Sequence, residues 1–213
     1  MSWFFRFLTS SIGKKLQMAA TGLLLCGFLV AHLAGNLLLY KGPDAFNHYA
    51  RSLESNVLLP FAEIGLLLLF LVHILTALRL SWENKKARPA PYAQGRWAGG
   101  KTWGSATMLA SGFLILVFLI LHVKAFRFAP ESEEGDLYRL VTSTLARKGW
   151  SVFYAAAMAA LALHLSHGFQ GGFQTFGVNH PRYTPAIKAA GWAFAILVCA
   201  GFASIAVWAG FVR

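Results

Sequence analysis

Long apolar runs alternate with short polar segments along the whole chain. A helix that crosses a bilayer core of ~30 Å needs about 20 apolar residues, and the longest runs meet that length. Because lipid offers the backbone no hydrogen-bond partners, each of these runs is predicted to be a helix. The pattern therefore predicts an all-α integral membrane bundle, a single membrane domain over residues 1–213, with five transmembrane helices at about residues 16–40, 57–80, 104–127, 149–172 and 186–211.

The segments between the spans differ in character. Residues 41–56 mix aromatic and polar side chains, as is typical of a membrane interface, whereas residues 81–103 are basic and rich in Pro and Gly. The N-terminal stretch is aromatic and basic, so it is predicted to form a short helix on the membrane surface. Residues 128–148 carry an acidic cluster made up of Glu131, Glu133, Glu134 and Asp136.

Composition agrees with a membrane protein. Hydrophobic residues make up 57% of the chain and charged residues only 13%, well below the charged share of a soluble domain. The net charge of +11 comes from Lys and Arg in short loops. This pattern sets membrane orientation and favours anionic lipid, and it does not indicate nucleic-acid binding. Eleven basic residues lie on the side of the N-terminus and eight on the other, so the N-terminus is predicted to be cytoplasmic and the C-terminus outside.

Most of the seven histidines lie inside predicted spans, where an ionisable side chain is costly and indicates a function. Spans one and three run outward, and His32 and His122 lie late in them, near the outer face. Spans two and four run inward, and His73 and His164 lie late in those, near the inner face. Four histidines from four helices are thus expected to form two layers of two.

Two imidazoles facing each other across a bundle are the axial ligands that a six-coordinate haem iron requires. Because the sequence has no CxxCH, the attachment is predicted to be non-covalent and b-type. We therefore expect four helices to surround two b haems: a distal haem with His32 and His122 as iron ligands, and a proximal haem with His73 and His164. His167 shares a helix face with His164, so spacing leaves both open as the fourth ligand, and depth favours His164.

A weak internal repeat, A-[ST]-G-x9-H, relates spans one and three. Ala-Thr-Gly precedes His32, and Ala-Ser-Gly precedes His122 at the same spacing. The glycines of the two copies, Gly22 and Gly112, would let a flat macrocycle approach the helix backbone, although ordinary helix packing in membranes favours small residues too.

These features together resemble the cytochrome b558-type membrane subunit of succinate:quinone oxidoreductases, a family that includes the menaquinol-using fumarate reductases. The resemblance covers nearly the whole chain, and the spacing of the four histidines is its specific part. It rests on QMAATG ahead of His32, AFNHYARSL after the first span, PFAEIGLLLLFLVH ending at His73, ASGFLILVFLILH ending at His122 and HLSHG beginning at His164.

The resemblance implies the same two ligand pairs. It favours His164 over His167, because members place a glycine, here Gly168, four residues after the fourth ligand. It also implies a bacterial cytoplasmic membrane and menaquinone as substrate. Some members carry a glutamate where this chain has Ala162, so a proton route through that position is not expected.

Two soluble partners on the cytoplasmic side follow from the same resemblance. One is a flavoprotein that carries FAD and interconverts succinate and fumarate, and the other is an iron–sulfur protein that holds the clusters. This chain is then the electron-transfer and quinone-reactive subunit of the enzyme, without a succinate or fumarate site of its own. A dimer of the whole complex stays open.

A quinone site needs an apolar cleft, donors to the quinone oxygens and a nearby ionisable group. Glu63 is the only carboxylate inside a predicted span, near the outer face, and Asn47, His48 and Arg51 lie in the adjoining loop. We expect Glu63 or His48 to accept protons from menaquinol there. Alternatively, Glu63 is an interfacial carboxylate paired with Arg51.

Haem propionates at the inner face also need partners. The sequence offers several polar or basic residues at that depth, and the basic ones could instead be anchors that reach the interface. The candidates are Gln17, Lys14, Lys15, Arg79, Arg182 and His167.

Three other functions share parts of this pattern. The cytochrome b subunit of a hydrogenase or a formate dehydrogenase has paired histidines and reacts with quinone, but binds a different soluble partner. A transporter can line its path with histidines without binding haem. A structural anchor without haem is the third, and the two histidine layers argue against it.

Overall fold

The computed structural model describes residues 2–87, 103–129 and 136–213, and this part of the chain is helical with no strand. Five of its helices are long and apolar enough to cross a membrane, which confirms the predicted all-α membrane bundle. In chain order the helices are α1 (Trp3–Thr9), α2 (Ser11–Asn36), α3 (Pro43–Glu54), α4 (Leu59–Lys86), α5 (Trp103–Phe126), α6 (Leu137–Ala146), α7 (Lys148–Thr175) and α8 (Thr184–Val207).

The spanning helices α4, α2, α7 and α5 pack in that order. Helix α4 lies along α2, α2 lies along α7, and α7 lies along α5. Helix α8 packs mainly along α7 and also touches α2. Helices α4 and α7 therefore flank α2, while α2 and α5 flank α7, and this order decides which side chains meet in the interior.

Small residues allow α8 to approach α7 closely. Ala195 and Cys199 of α8 are buried in the same apolar cluster as Met158 of α7. The hydroxyl of Ser151, which is fully buried, donates to the carbonyl oxygen of Ala206 at 2.6 Å. These contacts join the fifth span to the four that carry the histidines.

The short helices lie at opposite ends of the bundle. Helix α1 has no buried residue and is followed by Ser10, whose hydroxyl accepts from the Gly13 amide at the start of α2. At the other end, a 3₁₀ turn over Leu37–Lys41 stops at Gly42, where φ is +98° and a side chain would be strained. The α1 end and the α3–α6 end of the bundle are named after these helices.

Helices α3 and α6 cover the α3–α6 end and are linked by Asn47. Its side-chain amide donates to Asp136 at 2.9 Å and its carbonyl oxygen accepts from the Tyr138 amide at 2.8 Å. The rings of Phe46 and Tyr138 pack edge to face beside this link. Residues 41–56, expected to be interfacial, thus form an ordered helical layer together with α6.

The second span is longer than the hydrophobic pattern predicted. It runs to Lys86 instead of about residue 80, which places Glu83 inside a helix. Glu83 therefore belongs to the same helix as Glu63 but lies beyond the apolar run that predicted the span. Outside the described residues lie 88–102, which form most of the basic loop, and the acidic residues Glu131, Glu133 and Glu134.

Candidate functional site

The four predicted ligand histidines meet in two pairs inside the bundle. In the distal pair, the rings of His32 on α2 and His122 on α5 have centroids 5.8 Å apart and planes at 88°. In the proximal pair, His73 on α4 and His164 on α7 have centroids 6.4 Å apart and planes at 69°. The residues that meet are the ones expected from depth. In each pair, the two helices that carry the histidines have one other helix packed between them in the order of the bundle: α7 for the distal pair and α2 for the proximal pair.

The ring of His73 is held by α2. Its Nδ1 lies 3.2 Å from the carbonyl oxygen of Met18 and 3.3 Å from the hydroxyl of Thr21. That hydroxyl already donates to the Gln17 carbonyl of its own helix at 2.7 Å. The Thr21 side chain is buried, so its oxygen has the His73 ring as a neighbour in place of water.

The ring of His164 is held by α5 in the same way. Its Nδ1 lies 3.3 Å from the hydroxyl of Ser111, which donates to the Thr107 carbonyl at 2.9 Å. Ser111 is also buried. The two copies of the sequence repeat thus make equivalent contacts with the two members of the proximal pair.

The glycines of the repeat face these same rings. A Cβ added at Gly22 would lie 3.1 Å from Cε1 of His73, and one added at Gly112 would lie 3.4 Å from Cε1 of His164. What lies against the two glycines in the described structure is an imidazole of the neighbouring helix. The expectation that they admit a macrocycle stays a prediction.

The distal pair has a different environment. Tyr154 of α7 places its hydroxyl 3.0 Å from Nδ1 of His122. His32 stacks on Phe28 with centroids 5.2 Å apart and lies 5.5 Å from Phe202 of α8. In the described residues no hydrogen bond to the His32 ring is found, so the two distal rings are held mainly by aromatic packing and one phenol.

The two pairs lie at different depths. Thr21, which contacts the proximal pair, is eleven residues before His32 on the same helix, and Ser111 is eleven residues before His122. At ~1.5 Å per residue this separates the layers by about 16 Å. The proximal pair lies toward the α1 end, and the distal pair lies toward the α3–α6 end.

His167 lies one turn beyond His164, next to the start of α5. It packs against Gly104, where an added Cβ would come within 2.9 Å of the His167 Cβ. Its Nδ1 is buried and has no hydrogen-bond partner among the described residues. No ring contact joins His167 to His73 within the described chain, so the geometry pairs His73 with His164.

The other residues predicted near the inner haem are mostly engaged elsewhere. Lys14 is buried and paired with Glu83, which also accepts from Arg79 at 3.0 Å. The side-chain amide of Gln17 donates to the carbonyl of Leu8 at 2.8 Å. Two further residues, Lys15 and Arg182, are exposed.

Glu63 is bound by an arginine that the sequence did not indicate. Arg127, just after α5, donates to both of its carboxylate oxygens, at 2.7 and 3.2 Å. This hydrogen bond is the main reason that the pKa of Arg127 is raised above its usual value. The alternative that Glu63 is paired with Arg51 is therefore wrong, because its partner is Arg127. His48 is exposed, and Asn47 holds α6 as described.

A cavity opens beside the distal pair on the flank of α5 and α7. It has a volume of ≈ 430 Å³ and is lined by Leu121, Arg147, Gly149, Trp150 and Phe153. The ring of Trp150 lies 6.1 Å from that of Tyr154, the residue bonded to His122. The cavity is thus one aromatic ring away from a distal histidine.

Three residues at the site were not predicted to contact the histidines. Thr21 and Ser111 were visible in the repeat, where a hydroxyl beside each glycine was the signal available. Tyr154 lies ten residues before His164 in an apolar stretch, and nothing in the sequence singles it out.

A comparison with known proteins found a relative of this chain. The chain is similar to the succinate dehydrogenase cytochrome b558 subunit of Bacillus subtilis, with 24% identity over 156 residues, which cover 71% of this chain and 73% of the relative. This similarity confirms the resemblance predicted from sequence. No protein-family profile matches the chain, and no solved structure matches it. By name the relative is a cytochrome b558 subunit of succinate dehydrogenase, which is the class of protein that the sequence resembled.

Proposed function

We propose that this chain is the di-haem membrane subunit of a succinate:quinone oxidoreductase, and that it carries electrons between menaquinone and an iron–sulfur partner. The observation that carries the proposal is the pair of facing imidazoles at each of two depths. The name of the Bacillus subtilis relative supports both the cytochrome b character and the enzyme class.

The spacing of each pair fits one iron between two imidazoles. Metal–imidazole bonds in proteins are ~2.0 Å long, so two rings on opposite sides of one metal have centres about 6 Å apart. The observed separations are 5.8 Å for the distal pair and 6.4 Å for the proximal pair. Both donor sets therefore suit a bis-histidine haem, with His32 and His122 at one iron and His73 and His164 at the other.

A bis-histidine haem supplies one-electron transfer without an open coordination position for a small molecule. The residues of this chain would determine the position of each haem. The hydroxyls of α2 and α5 and the Met18 carbonyl hold the proximal rings, and aromatic rings pack around His32 and His122 in the distal layer. Two such layers ~16 Å apart provide a path along the bundle axis.

The buried Nδ1 of His167 has no partner among the described residues and suits an acceptor outside them. A propionate of the proximal haem has the right chemistry, because a buried polar atom without a partner is costly. Lys14 and Arg79 share Glu83, so they could serve a propionate only by exchanging that partner. Gln17 and Arg182 remain candidates for the same role.

We place quinone chemistry at the α3–α6 end, beside the distal pair. The open-sided cavity at Arg147 and Trp150 offers apolar side chains and one cationic donor. Glu63 and His48 are the proton-accepting groups proposed at this end. Glu63 is held by Arg127, so taking up a proton there requires that this ion pair loosen.

The soluble partners are a flavoprotein with FAD and an iron–sulfur protein, docked at the α1 end. The proposal places this end in the bacterial cytoplasm, with the N-terminus on that side. The proximal pair is the layer nearest that end, so it is the electron-transfer position that faces the iron–sulfur protein.

The test is haem quantitation on the purified chain and on four single variants, His32→Ala, His73→Ala, His122→Ala and His164→Ala. We expect two b haems per chain in the wild type and one in each variant, with the same spectral component lost within each pair. A wild-type chain without haem would overturn the proposal and favour a transporter. Co-purification with a hydrogenase or formate dehydrogenase subunit, in place of the flavoprotein, would keep the haems but reassign the enzyme.

A further inference from the structure

Each copy of the repeat, one on α2 and one on α5, takes part in both histidine pairs. Each copy ends in a histidine of the distal pair, yet its hydroxyl and glycine contact a histidine of the proximal pair on the neighbouring helix. The structure extends the repeat by one further residue, since Met18 and Met108 stand at the same position, three residues before Thr21 and Ser111.

The contacts settle which ring nitrogen of His73 carries the proton. A carbonyl oxygen can only accept, so the Met18 carbonyl at 3.2 Å requires a proton on Nδ1 of His73. The Thr21 hydroxyl has given its own proton to the Gln17 carbonyl, so its oxygen is also an acceptor toward Nδ1. With Nδ1 protonated, Nε2 of His73 keeps its lone pair for a metal.

The same reasoning holds for His164. Ser111 donates to the Thr107 carbonyl at 2.9 Å, which leaves its oxygen as an acceptor toward Nδ1 of His164 at 3.3 Å. A hydroxyl in a membrane helix often does nothing beyond bonding its own backbone. Here a hydroxyl lies 3.3 Å from a histidine Nδ1 twice, on two helices and on both rings of one pair.

We propose that Thr21 and Ser111 are positioning residues that accept from the Nδ1–H of His73 and His164, orient the two rings and so set the affinity and redox potential of the proximal haem alone. The inference rests on the proposed function. An acceptor on the far nitrogen makes an imidazole a stronger donor to iron, which favours the oxidised metal and lowers its potential. Removing the acceptor raises the potential.

The distal pair provides the contrast. The ring of His122 contacts the hydroxyl of Tyr154, and the ring of His32 packs against Phe28 and Phe202. A phenol can donate or accept, so it does not fix a tautomer as a carbonyl does. The two layers are therefore tuned by different chemistry, and substitutions at one should leave the other unchanged.

The test is a redox titration of both haems in Thr21→Val, Ser111→Ala and the double variant. We expect the proximal potential to shift upward in each single variant and further in the double variant, with the distal potential unchanged. Thr21→Ser should restore the wild-type value. Where the weakened site also loses haem, the loss should fall on the proximal component and amount to about tenfold or more in affinity.

Two controls complete the titration. Thr142→Val removes a buried hydroxyl whose partners among the described residues lie in its own helix, and it should change neither haem. Tyr154→Phe should shift the distal haem and leave the proximal one. Unchanged proximal potential in the double variant, or a shift confined to the distal haem, would overturn the inference while the proposed function stood.

A second measurement does not depend on bound haem. Ring ¹⁵N shifts of histidine distinguish the two neutral tautomers in the apoprotein. We expect His73 and His164 as Nδ1–H in the wild type. In the double variant His73 should stay Nδ1–H, because the Met18 carbonyl remains, and His164 should become a mixture. A wild-type chain that never binds haem would end the proposed function, whereas Nε2–H at His73 would end this inference alone.

Discussion

Gly22 lies directly against the imidazole of His73, because a Cβ added to this glycine would come within 3.1 Å of Cε1 of the ring. The corresponding glycine of the repeat, Gly112, has more room, with 3.4 Å to Cε1 of His164. The first distance forces a neighbour to move by a few tenths of an ångström, and the second is ordinary van der Waals contact. Two positions that look alike in sequence are therefore expected to respond differently to substitution.

Gly22→Ala should lower haem retention at the proximal site by about tenfold, because displacing His73 stretches its bonds to Met18 and Thr21. Gly112→Ala should retain haem at close to the wild-type level. The measurement is haem per chain after washing with detergent, with the two b components separated by spectrum. Equal losses in the two variants would show that the spacing difference does not matter.

His167 and His164 can be separated by substitution. His164→Ala should remove the proximal haem, since His164 is the ring opposite His73. His167→Ala should keep both haems and alter only the proximal potential, because its Nδ1 is free to meet a propionate and not an iron already held by two rings. Loss of a haem in His167→Ala, with retention in His164→Ala, would exchange the two roles.

The spans and the two histidine layers were predictable because they depend on one-dimensional properties. Hydropathy gives the span, and the position of a histidine within its span gives the depth. The Asn47 link and the partner of Glu63 were not predictable in this way. They depend on how helices are rotated and which of them are neighbours, and a sequence read alone places Glu63 near Arg51, which is close in the chain.

The end of α4 at Lys86 and the contact of Tyr154 with His122 were not predicted, for related reasons. Helix α4 continues past the apolar run because Glu83 is stabilised by Lys14 and Arg79, and hydropathy does not register such partners. Tyr154 contacts His122 because α5 lies along α7, and the polar end of an aromatic ring gives no periodic signal. Side-chain contacts between helices thus could not be predicted from the sequence.

The ion pair between Glu63 and Arg127 offers a test of the proton acceptor. Glu63→Gln should slow quinol-linked turnover by about 10²-fold if this carboxylate accepts a proton, while both haem components stay intact. Arg127→Gln is the matched control. It removes the same exposed ion pair, which contributes ~0.2–1 kcal/mol to stability, but it leaves the carboxylate in place. Unchanged turnover in Glu63→Gln would remove Glu63 from the mechanism and leave His48 as the candidate.

Asp136 should make the α3–α6 layer sensitive to acid. Its pKa is lowered, first by the backbone amide of Arg139 and then by the side-chain amide of Asn47. A carboxylate whose folded pKa lies below its unfolded value of ~3.9 stabilises the fold above that pH. The stabilisation is lost as pH falls through the folded pKa. We therefore expect amide protection in α6 to be constant from neutral pH to about 5 and to fall below about 4, once corrected for intrinsic exchange.

The matched variant for this prediction is Asp136→Asn. Asparagine caps helices about as well as aspartate, so α6 should stay protected at neutral pH and lose its acid sensitivity. Asp136→Ala removes the acceptor of both Arg139 and Asn47, so α6 should lose protection at every pH. If Asp136→Asn kept the acid transition of the wild type, some other carboxylate would have to control the layer, and the link from Asn47 to Asp136 would be only a neutral hydrogen bond.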